Sequence, residues 1–425
     1  MDHQAREAAP GSATRRFLTG AGAVTAGSML ANIAAYLLHL PASRWLGPEG
    51  YGAFAALLSV QLLVAVPSLA LQAVVAREHV RGVATEPLRA LARRVALLVG
   101  LVAALAVVPV SLLLDTPVLA TAAALAPGPV LCLLTAEQGL LQGAERFRAL
   151  GLVLALAGAG KVVPAVAVLA VGGGVGPALA AGAIGVTVAW VVAARVQAAP
   201  TRPTEIRATR GATRRATTTS SSASSAGGGA PSSPGVAAVL AAGQVQLVMM
   251  ALTSVDLLLA RALLSPEDAG RYALGAVAAK AAFWLPQAVG TVLYPRMADP
   301  VGHRGAVRYA VAVLLGIGTV VVIGVAVAAP LAPLLVGEDY RPVTGLLWAF
   351  AALGVTLSVL QAFLLASIAS DRTVEAGIAW GGLVLTAVAV WAVPREVEAV
   401  LAATLSVVAL TTIAAGWRAM RGRPA

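Results

Sequence analysis

The chain has 425 residues, of which 59% are hydrophobic and 12% charged, and its formal net charge is +11. With a mean hydropathy of +0.86, this composition excludes an ordinary soluble protein and indicates a polytopic membrane protein. Cys132 is the only cysteine, which excludes an internal disulfide and a cysteine-based zinc or iron–sulfur site.

Apolar runs long enough to cross about 30 Å of hydrocarbon recur along nearly the whole chain. We predict six helices in the first half, at 17–41, 52–76, 95–114, 118–141, 150–171 and 177–195. Six more follow, at 235–263, 270–294, 307–329, 342–368, 373–393 and 398–417. The expected fold class is an all-α polytopic membrane protein with 12 transmembrane helices in two six-helix lobes, 17–195 and 235–417.

The polar stretches outside the lobes are predicted to lie in the cytoplasm. Residues 1–16 form an expected disordered N-terminus, and residues 418–425 a tail. The segment 196–234 begins with basic residues and continues into a Ser/Gly/Pro tract, which is too polar to pack and too flexible to order. We interpret it as a disordered tether between the lobes.

A weak internal repeat relates the two halves. Both copies have an apolar helix, a short Pro-Glu-x-x-Gly turn, a second apolar helix interrupted by proline, and an arginine at its exit. The matching positions are Pro48 and Glu49 with Pro266 and Glu267, Gly52 with Gly270, Phe54 with Tyr272, Ala55 with Ala273 and, after a one-residue gap, Pro67 with Pro286 and Arg77 with Arg296. Because each copy has an even number of helices, a pseudo-twofold axis along the membrane normal should relate the lobes, with the functional site between them.

The arginines are distributed unequally between the two sides of the predicted membrane. One side receives Arg15, Arg16, Arg77, Arg81, Arg89, Arg93, Arg94, Arg146, Arg148, six arginines from Arg195 to Arg215, Arg296, Arg304, Arg308, Arg372, Arg418, Arg421 and Arg423. The other receives only Arg44, Arg261, Arg271, Arg341 and Arg395. This bias predicts that both termini are cytoplasmic. The same bias explains the positive net charge of the chain, so we expect no nucleic-acid partner.

Enzyme motifs are absent from the sequence. There is no Walker A sequence, no HExxH and no GxSxG, and the four histidines, His3, His39, His79 and His303, are scattered. We therefore expect a non-enzyme with no catalytic residue, no metal site and no cofactor.

The two lysines are the leading candidates for a functional site. Lys161 and Lys280 lie about ten residues into their predicted helices, so at about 1.5 Å per residue both are near the middle of the membrane. An ionisable residue at that depth is costly and usually functional. One comes from each half, so two ammonium groups across a central cavity could hold a phosphate or pyrophosphate. The competing interpretation is that each lysine is a neutral or paired interhelical contact.

Other polar residues within the predicted spans complete the set of candidates. Asp256 could bind a proton or cation, or pair with a lysine or with Arg261; we favour an ion pair. Glu137 is likewise a candidate for ion coupling or an ion pair, but it lies near a helix end, where an ordinary solvated carboxylate is favoured. Gln61, which aligns with Lys280 in the repeat when the gap is placed before it, could bind sugar hydroxyls. Arg44 and Arg261 are substrate-binding candidates from their predicted placement alone.

Three segments resemble a known family: RWLGPEGYGAFAALLSV, LLQGAERFRALGLVL and DLLLARALLSPEDAGRYALGAVAAKAAFWLPQAVGTVLYPRM. Together they are similar to the polysaccharide biosynthesis and oligosaccharide flippase branch of the multidrug/oligosaccharidyl-lipid/polysaccharide (MOP) exporter superfamily. The resemblance implies two lobes around a V-shaped cavity. It also implies alternating access and movement of a polyprenyl-pyrophosphate-linked sugar from the cytoplasmic to the outer leaflet. Lys280 lies in the family-like AVAAK segment.

These observations predict a flippase in a bacterial plasma membrane, with a lipid-linked sugar as substrate and glycan polymerase or glycosyltransferase enzymes as expected partners. A first rival is a cation-coupled multidrug antiporter of the same superfamily, which would need acidic and aromatic residues in its cavity, whereas aromatics are only 4%. A second is a nontransporting scaffold that recruits glycan-synthesis enzymes. Lipid II flippases are related but commonly have two additional helices that the sequence does not show.

Overall fold

The computed structural model describes residues 11–198, 235–284, 303–368 and 374–421, and within them every regular element is helical. The first half contains α1 (Gly11–Leu37), α2 (His39–Val64), α3 (Val66–Val80), α4 (Thr85–Leu113), α5 (Val118–Leu125), α6 (Pro127–Gly143), α7 (Phe147–Ala170) and α8 (Val175–Ala198).

The second half contains α9 (Val236–Leu252), α10 (Val255–Leu263), α11 (Pro266–Trp284), α12 (His303–Ala328), α13 (Ala332–Val336), α14 (Leu347–Ile368), α15 (Val374–Ala392) and α16 (Val397–Arg421). Two 3₁₀ segments, Ala329–Leu331 and Glu338–Leu346, flank α13.

Several predicted helices are broken where the backbone turns. The first predicted helix corresponds to α1 together with the start of α2. The second predicted helix begins after Gly47, whose φ of 66° ends the preceding helix. The second predicted helix is interrupted at Ala65, two residues before Pro67, because proline removes an amide donor and crowds the preceding turn. In the second half α9 and α10 are two parts of one predicted helix, bent by 42°.

The described helices confirm the predicted all-α membrane architecture. By length and composition eight stretches could span a membrane, or nine with the bent pair, and the first of them, Val24–Val80, is 57 residues long and contains two predicted helices. The two ends differ from prediction: α1 starts at Gly11 and α16 continues to Arg421. Most of the predicted tether, residues 199–234, lies outside the described residues, as do residues 285–294 of the helix predicted at 270–294.

Each half packs mainly on itself. In the first half α7 lies against α1 and α8, and α6 against α3 and α4. In the second half α14 lies against α11, α12 and α16. The halves meet chiefly where α2 packs on α11 and α3 on α9, so α2 and α11 line the seam between two lobes.

Two repeat-related glycines touch at this seam. A Cβ added to Gly52 would lie 2.9 Å from the backbone nitrogen of Gly270, and a Cβ on Gly270 would collide with the carbonyl oxygen of Pro48. Only glycine permits so close an approach of two backbones. Equivalent residues can meet only near an axis that relates their lobes, which agrees with the predicted pseudo-twofold symmetry.

Candidate functional site

Two ends of the molecule are distinguished by their loops. We call the end that carries Arg81 and Arg146 the arginine-rich end, and the end with the turn at residues 114–117 and Gly337 the arginine-poor end. The central site lies between them, where α11 packs on α2 and where α7 also contacts α2.

Lys280, on α11, bridges the lobes. Its Nζ donates a hydrogen bond to Oγ of Ser59 on α2 at 2.7 Å. Ser59 is buried, and its Oγ also donates to the carbonyl oxygen of Ala55 at 2.9 Å. The hydroxyl of Tyr36 donates to the carbonyl oxygen of Lys280 at 3.2 Å, so α1 also contacts this turn of α11. The ammonium group is therefore held by a neutral hydroxyl, which does not balance its charge.

Lys161 lies on α7, where its stem packs against α8. A Cβ added to Gly182 of α8 would lie 3.1 Å from the carbonyl oxygen and 3.7 Å from Cγ of Lys161, so α8 leaves room for the lysine stem. The side chain is half-buried. Among the described residues its ammonium group has no hydrogen-bond or ion-pair partner.

His39 contacts Tyr51 near the arginine-poor end. It begins α2 immediately after the break at Leu38. Its Nδ1 lies 3.1 Å from the hydroxyl of Tyr51, and the two rings meet edge-on at a centroid distance of 5.9 Å. Sequence reasoning missed this residue. The available signal was that His39 is the one histidine inside a predicted transmembrane helix.

Asp256 is the acidic group nearest the lysines. It is 3% exposed, and its Oδ2 accepts a hydrogen bond from the hydroxyl of Tyr272 at 2.9 Å. Asp256 and Lys280 line one cavity of about 10 Å³, close to the smallest space that holds a water molecule. The carboxylate acts on Lys280 through space and forms no direct ion pair in the described part of the chain.

The two arginine candidates lie elsewhere, at the arginine-poor end. Nε and Nη2 of Arg261 donate to the carbonyl oxygens of Leu114 and Asp115 at 2.9 and 3.0 Å, at the end of α4 in the other lobe. Carbonyls at a helix C-terminus lack intrahelical donors and suit a guanidinium group. Arg44 is exposed, with Nη1 3.5 Å from the carbonyl oxygen of Leu334. Neither joins the lysine pair, and Arg261 does not pair with Asp256.

Tyrosines close the same end. The rings of Tyr51 and Tyr340 meet edge-on across the seam at 6.1 Å, and the Tyr340 hydroxyl donates to the carbonyl oxygen of Ser43 at 3.2 Å. Both rings are fully buried. Together with the contact between Gly52 and Gly270, these interactions hold the lobes together at the arginine-poor end.

Glu137 differs from its predicted solvated state. The side chain is 7% exposed, and Arg89 of α4 donates to both carboxylate oxygens at 2.9 and 3.0 Å. The expectation of a solvated carboxylate was wrong because α4 and α6 pack side by side and bring a guanidinium group to it. This pair lies in the first lobe and is separate from the lysines.

Gln61 is buried, at 5% exposure, and its Oε1 has no hydrogen-bond partner within the described ranges. It lies on α2 two residues after Ser59, so the two side chains leave the helix on different faces. A larger apolar groove of about 360 Å³ lies between α7 and α8 and exposes Ile184 and Val188. It contains no polar group that could act on a substrate.

Lys280 can therefore bind an anion at the seam, because its ammonium group is held by a neutral hydroxyl and the carboxylate of Asp256 lines the same small cavity. Lys161 carries a second ammonium group that has no polar partner among the described residues. In the described residues no cluster of histidine, cysteine and acidic side chains could hold a metal ion.

The fold is shared with solved structures. Comparison finds transporters of the MOP superfamily, and this chain has the same fold. No family model matches the sequence, and no curated protein does.

Three similar structures show the range of that class. An inward-facing MATE-family multidrug resistance transporter is 14% identical over 92% of this chain and 93% of its own, with a TM-score of 0.67. The lipid II flippase MurJ, in an inward closed conformation, is 10% identical over 93% and 86%, with a TM-score of 0.68. A MOP superfamily transporter from Pyrococcus furiosus is 14% identical over 94% of each chain, with a TM-score of 0.57. At these identities the likeness shows the fold.

Proposed function

We propose that this chain is a flippase that moves a polyprenyl-pyrophosphate-linked oligosaccharide or polysaccharide precursor from the cytoplasmic to the outer leaflet by alternating access. The observation that carries the proposal is the uncompensated positive charge at the seam. Lys280 is held by a serine hydroxyl, and Lys161 has no polar partner among the described residues.

The electrostatic cost of this arrangement supports an anionic substrate. A charged side chain at the centre of a bilayer costs about 2.5–3.5 kcal/mol on insertion scales. One nearby carboxylate, Asp256, cannot balance two ammonium groups, and it already accepts a hydrogen bond from Tyr272. A pyrophosphate group would supply the missing negative charge and accept hydrogen bonds from both lysines.

The fold supports a substrate with a lipid tail. One protein of the same fold is a lipid II flippase, so this architecture can move a lipid-linked head group. In our proposal the sugar pyrophosphate occupies the seam while the tail stays in the bilayer. Glycan polymerases or glycosyltransferases are the proposed partners, since they would use the exported sugar.

The proposed orientation places the arginine-rich end in the cytoplasm of a bacterium, with both termini on that side. The arginine-poor end, closed by Arg261, Tyr340 and the contact between Gly52 and Gly270, then faces outward. With this orientation, the proposal assigns the described contacts to a state closed to the outside. Separation of the lobes at this end would release the head group there.

The test is the sidedness of lipid-linked sugar in cells that lack the protein. Cells complemented with the wild type should clear lipid-linked sugar from the inner leaflet, and cells with Lys161→Gln/Lys280→Gln should accumulate it at equal protein level. Arg94→Gln is a matched control because it removes an exposed cation on α4. If deletion causes no accumulation, the substrate class is wrong.

A second candidate, a cation-coupled multidrug antiporter, is favoured by one observation. Asp256 is a buried carboxylate beside a water-sized cavity, which is a plausible cation or drug-charge site, and a MATE-family transporter shares the fold. This function predicts that deletion increases drug susceptibility and that Asp256→Asn fails to restore resistance. Unchanged susceptibility on deletion contradicts it.

A further inference from the structure

We propose that Asp256 drives release of the head group: once the lobes separate, its carboxylate pairs with the ammonium group of Lys280 and displaces the pyrophosphate from it. The inference rests on the proposed function and adds a step to it, since Lys280 captures the head group and Asp256 ends that contact. Asp256 is a positioning residue that acts through Lys280 and does not touch the substrate.

The first argument is that the polar partners of Lys280 belong to the other lobe. Its Nζ donates to Oγ of Ser59 on α2 at 2.7 Å. Its carbonyl oxygen accepts a hydrogen bond from the hydroxyl of Tyr36 on α1 at 3.2 Å. Both contacts cross the seam between the lobes. Separation of α2 from α11 during alternating access therefore removes the hydroxyl that now holds the ammonium group.

The second argument is that Asp256 stays in the lobe of Lys280. Its Oδ2 accepts a hydrogen bond at 2.9 Å from Tyr272, which lies on α11, the helix that carries Lys280. Tyr272 is fully buried, and its ring meets that of Phe350 on α14 edge-on at a centroid distance of 5.0 Å. Asp256 is thus fastened to the second lobe, and movement of the first lobe does not take it away from Lys280.

The third argument is the space between the two charges. Asp256 and Lys280 line one cavity of about 10 Å³, together with the hydroxyl-bearing Thr253 and apolar side chains. A cavity of this size is close to the smallest that holds a water molecule, and an ammonium group is about as large as water. Lys280 is half-buried on a flexible four-carbon stem. Rotation of this stem can bring its ammonium group into the cavity and against the carboxylate.

The order of these partners gives the exchange a direction. In the described state Lys280 has a neutral partner, Ser59, so its charge is available to an anion. When Ser59 withdraws, the carboxylate of Asp256 is the anionic group already beside Lys280 in the same lobe. An unpaired charge is costly in a buried position, and the ion pair with Asp256 removes that cost as the pyrophosphate leaves. The head group then keeps only its contact with Lys161.

The experiment uses two soluble probes that differ in the head group, farnesyl pyrophosphate and farnesol. Both are titrated against purified full-length protein by calorimetry, and dissociation of radiolabelled farnesyl pyrophosphate is followed after adding an excess of unlabelled compound. We expect the wild type to bind the pyrophosphate more tightly than the alcohol. Asp256→Asn keeps the size of the side chain and an oxygen for Tyr272, but it cannot neutralise Lys280. It should bind the pyrophosphate about tenfold more tightly, mainly through slower dissociation, and bind farnesol as the wild type does.

Further variants separate the charge of Asp256 from its packing. Asp256→Glu keeps the carboxylate and should restore most of the fast dissociation. Tyr272→Phe frees the carboxylate from its hydrogen bond and should speed dissociation about threefold. Asp339→Asn is the matched control, since it makes the same change at an exposed position near Gly337 and should leave both probes unaffected. Damage to the fold would weaken binding of both probes, which is opposite to the effect expected for Asp256→Asn.

The outcomes distinguish this inference from the proposed function. If the wild type does not prefer the pyrophosphate over farnesol, both are overturned. If the wild type discriminates but Asp256→Asn releases the pyrophosphate at the wild-type rate, or binds it more weakly, only the role of Asp256 is overturned. Equal slowing of release by Asp256→Asn and Asp256→Glu would show that the negative charge is not responsible and would also overturn the inference.

Discussion

The buried charges of the first lobe have ion-pair partners, whereas the two lysines lack them among the described residues. Arg89 and Glu137 form a two-hydrogen-bond ion pair in which every charge has its counterpart. Lys161 and Lys280 have no such counterpart, although they lie deeper in their helices. The contrast supports our proposal that the paired charges hold the fold and that the two lysines bind a ligand.

The largest effect on stability should come from breaking the satisfied pair. Glu137→Ala leaves the Arg89 guanidinium without its partner, which costs about 3–5 kcal/mol for a fully buried pair. We expect the lower part of that range because the Arg89 side chain is 33% exposed. Thermal unfolding of the purified protein measures the loss, and Arg89→Ala/Glu137→Ala should recover part of it. If Glu137→Ala unfolds at the wild-type temperature, the ion pair of Arg89 and Glu137 does not stabilise the fold, and the contrast with the lysines fails.

Arg261→Gln should have the next largest effect, on the closed state of the arginine-poor end. It removes charge-assisted hydrogen bonds to Leu114 and Asp115, each with a net value of about 1.5–3 kcal/mol. Since Cys132 is the only cysteine, a Cys132→Ser/Ser43→Cys protein carries one reporter thiol in the closed seam.

Labelling of that thiol by an impermeant maleimide should be several-fold faster when Arg261→Gln is added. Exposed Arg341→Gln serves as the control. Equal labelling with and without Arg261→Gln would show that Arg261 does not hold the seam.

Gly270→Ala should open the same end by a smaller amount. The new Cβ meets the carbonyl oxygen of Pro48, and overpacking of this kind costs about 1–3 kcal/mol. The same thiol reporter checks the expectation. Gly316→Ala on α12 is the matched control because a Cβ there meets nothing within 4 Å. Similar labelling of the two alanine variants would mean that the lobes do not touch through Gly270.

The smallest effect, and of opposite sign, is expected at the seam lysine. Lys161→Met replaces an unpaired ammonium with an apolar side chain of similar length. Its unfolding free energy should rise by about 1 kcal/mol, as is common when a functional residue is removed. Chemical denaturation in detergent measures the change. A loss comparable to that of Glu137→Ala would mean that Lys161 is structural and would abolish the distinction between the two regions.

Much of the fold could be predicted from the sequence because hydrophobic length and the internal repeat report on it directly. The repeat paired Gly52 with Gly270, and the structure brings these residues into contact. The site was only partly predictable. Depth in a helix singled out Lys161 and Lys280, but the rotation of one helix against another does not follow from a single sequence.

That missing information explains the individual errors. The pairing of Glu137 with Arg89 depends on how α4 faces α6, and the position of Arg261 depends on how the lobes meet. Each is a contact between distant parts of the chain.

The most direct measurement is translocation of a short-chain prenyl-pyrophosphate-linked fluorescent sugar by purified protein in liposomes. Loss of fluorescence on adding an impermeant quencher reports the leaflet in which the sugar lies. The account predicts transfer between leaflets with the wild type and with Arg94→Gln, and none above protein-free liposomes with Lys161→Gln/Lys280→Gln. Equal transfer by the wild type and the double lysine variant would contradict the claim that the unpaired lysines hold the head group.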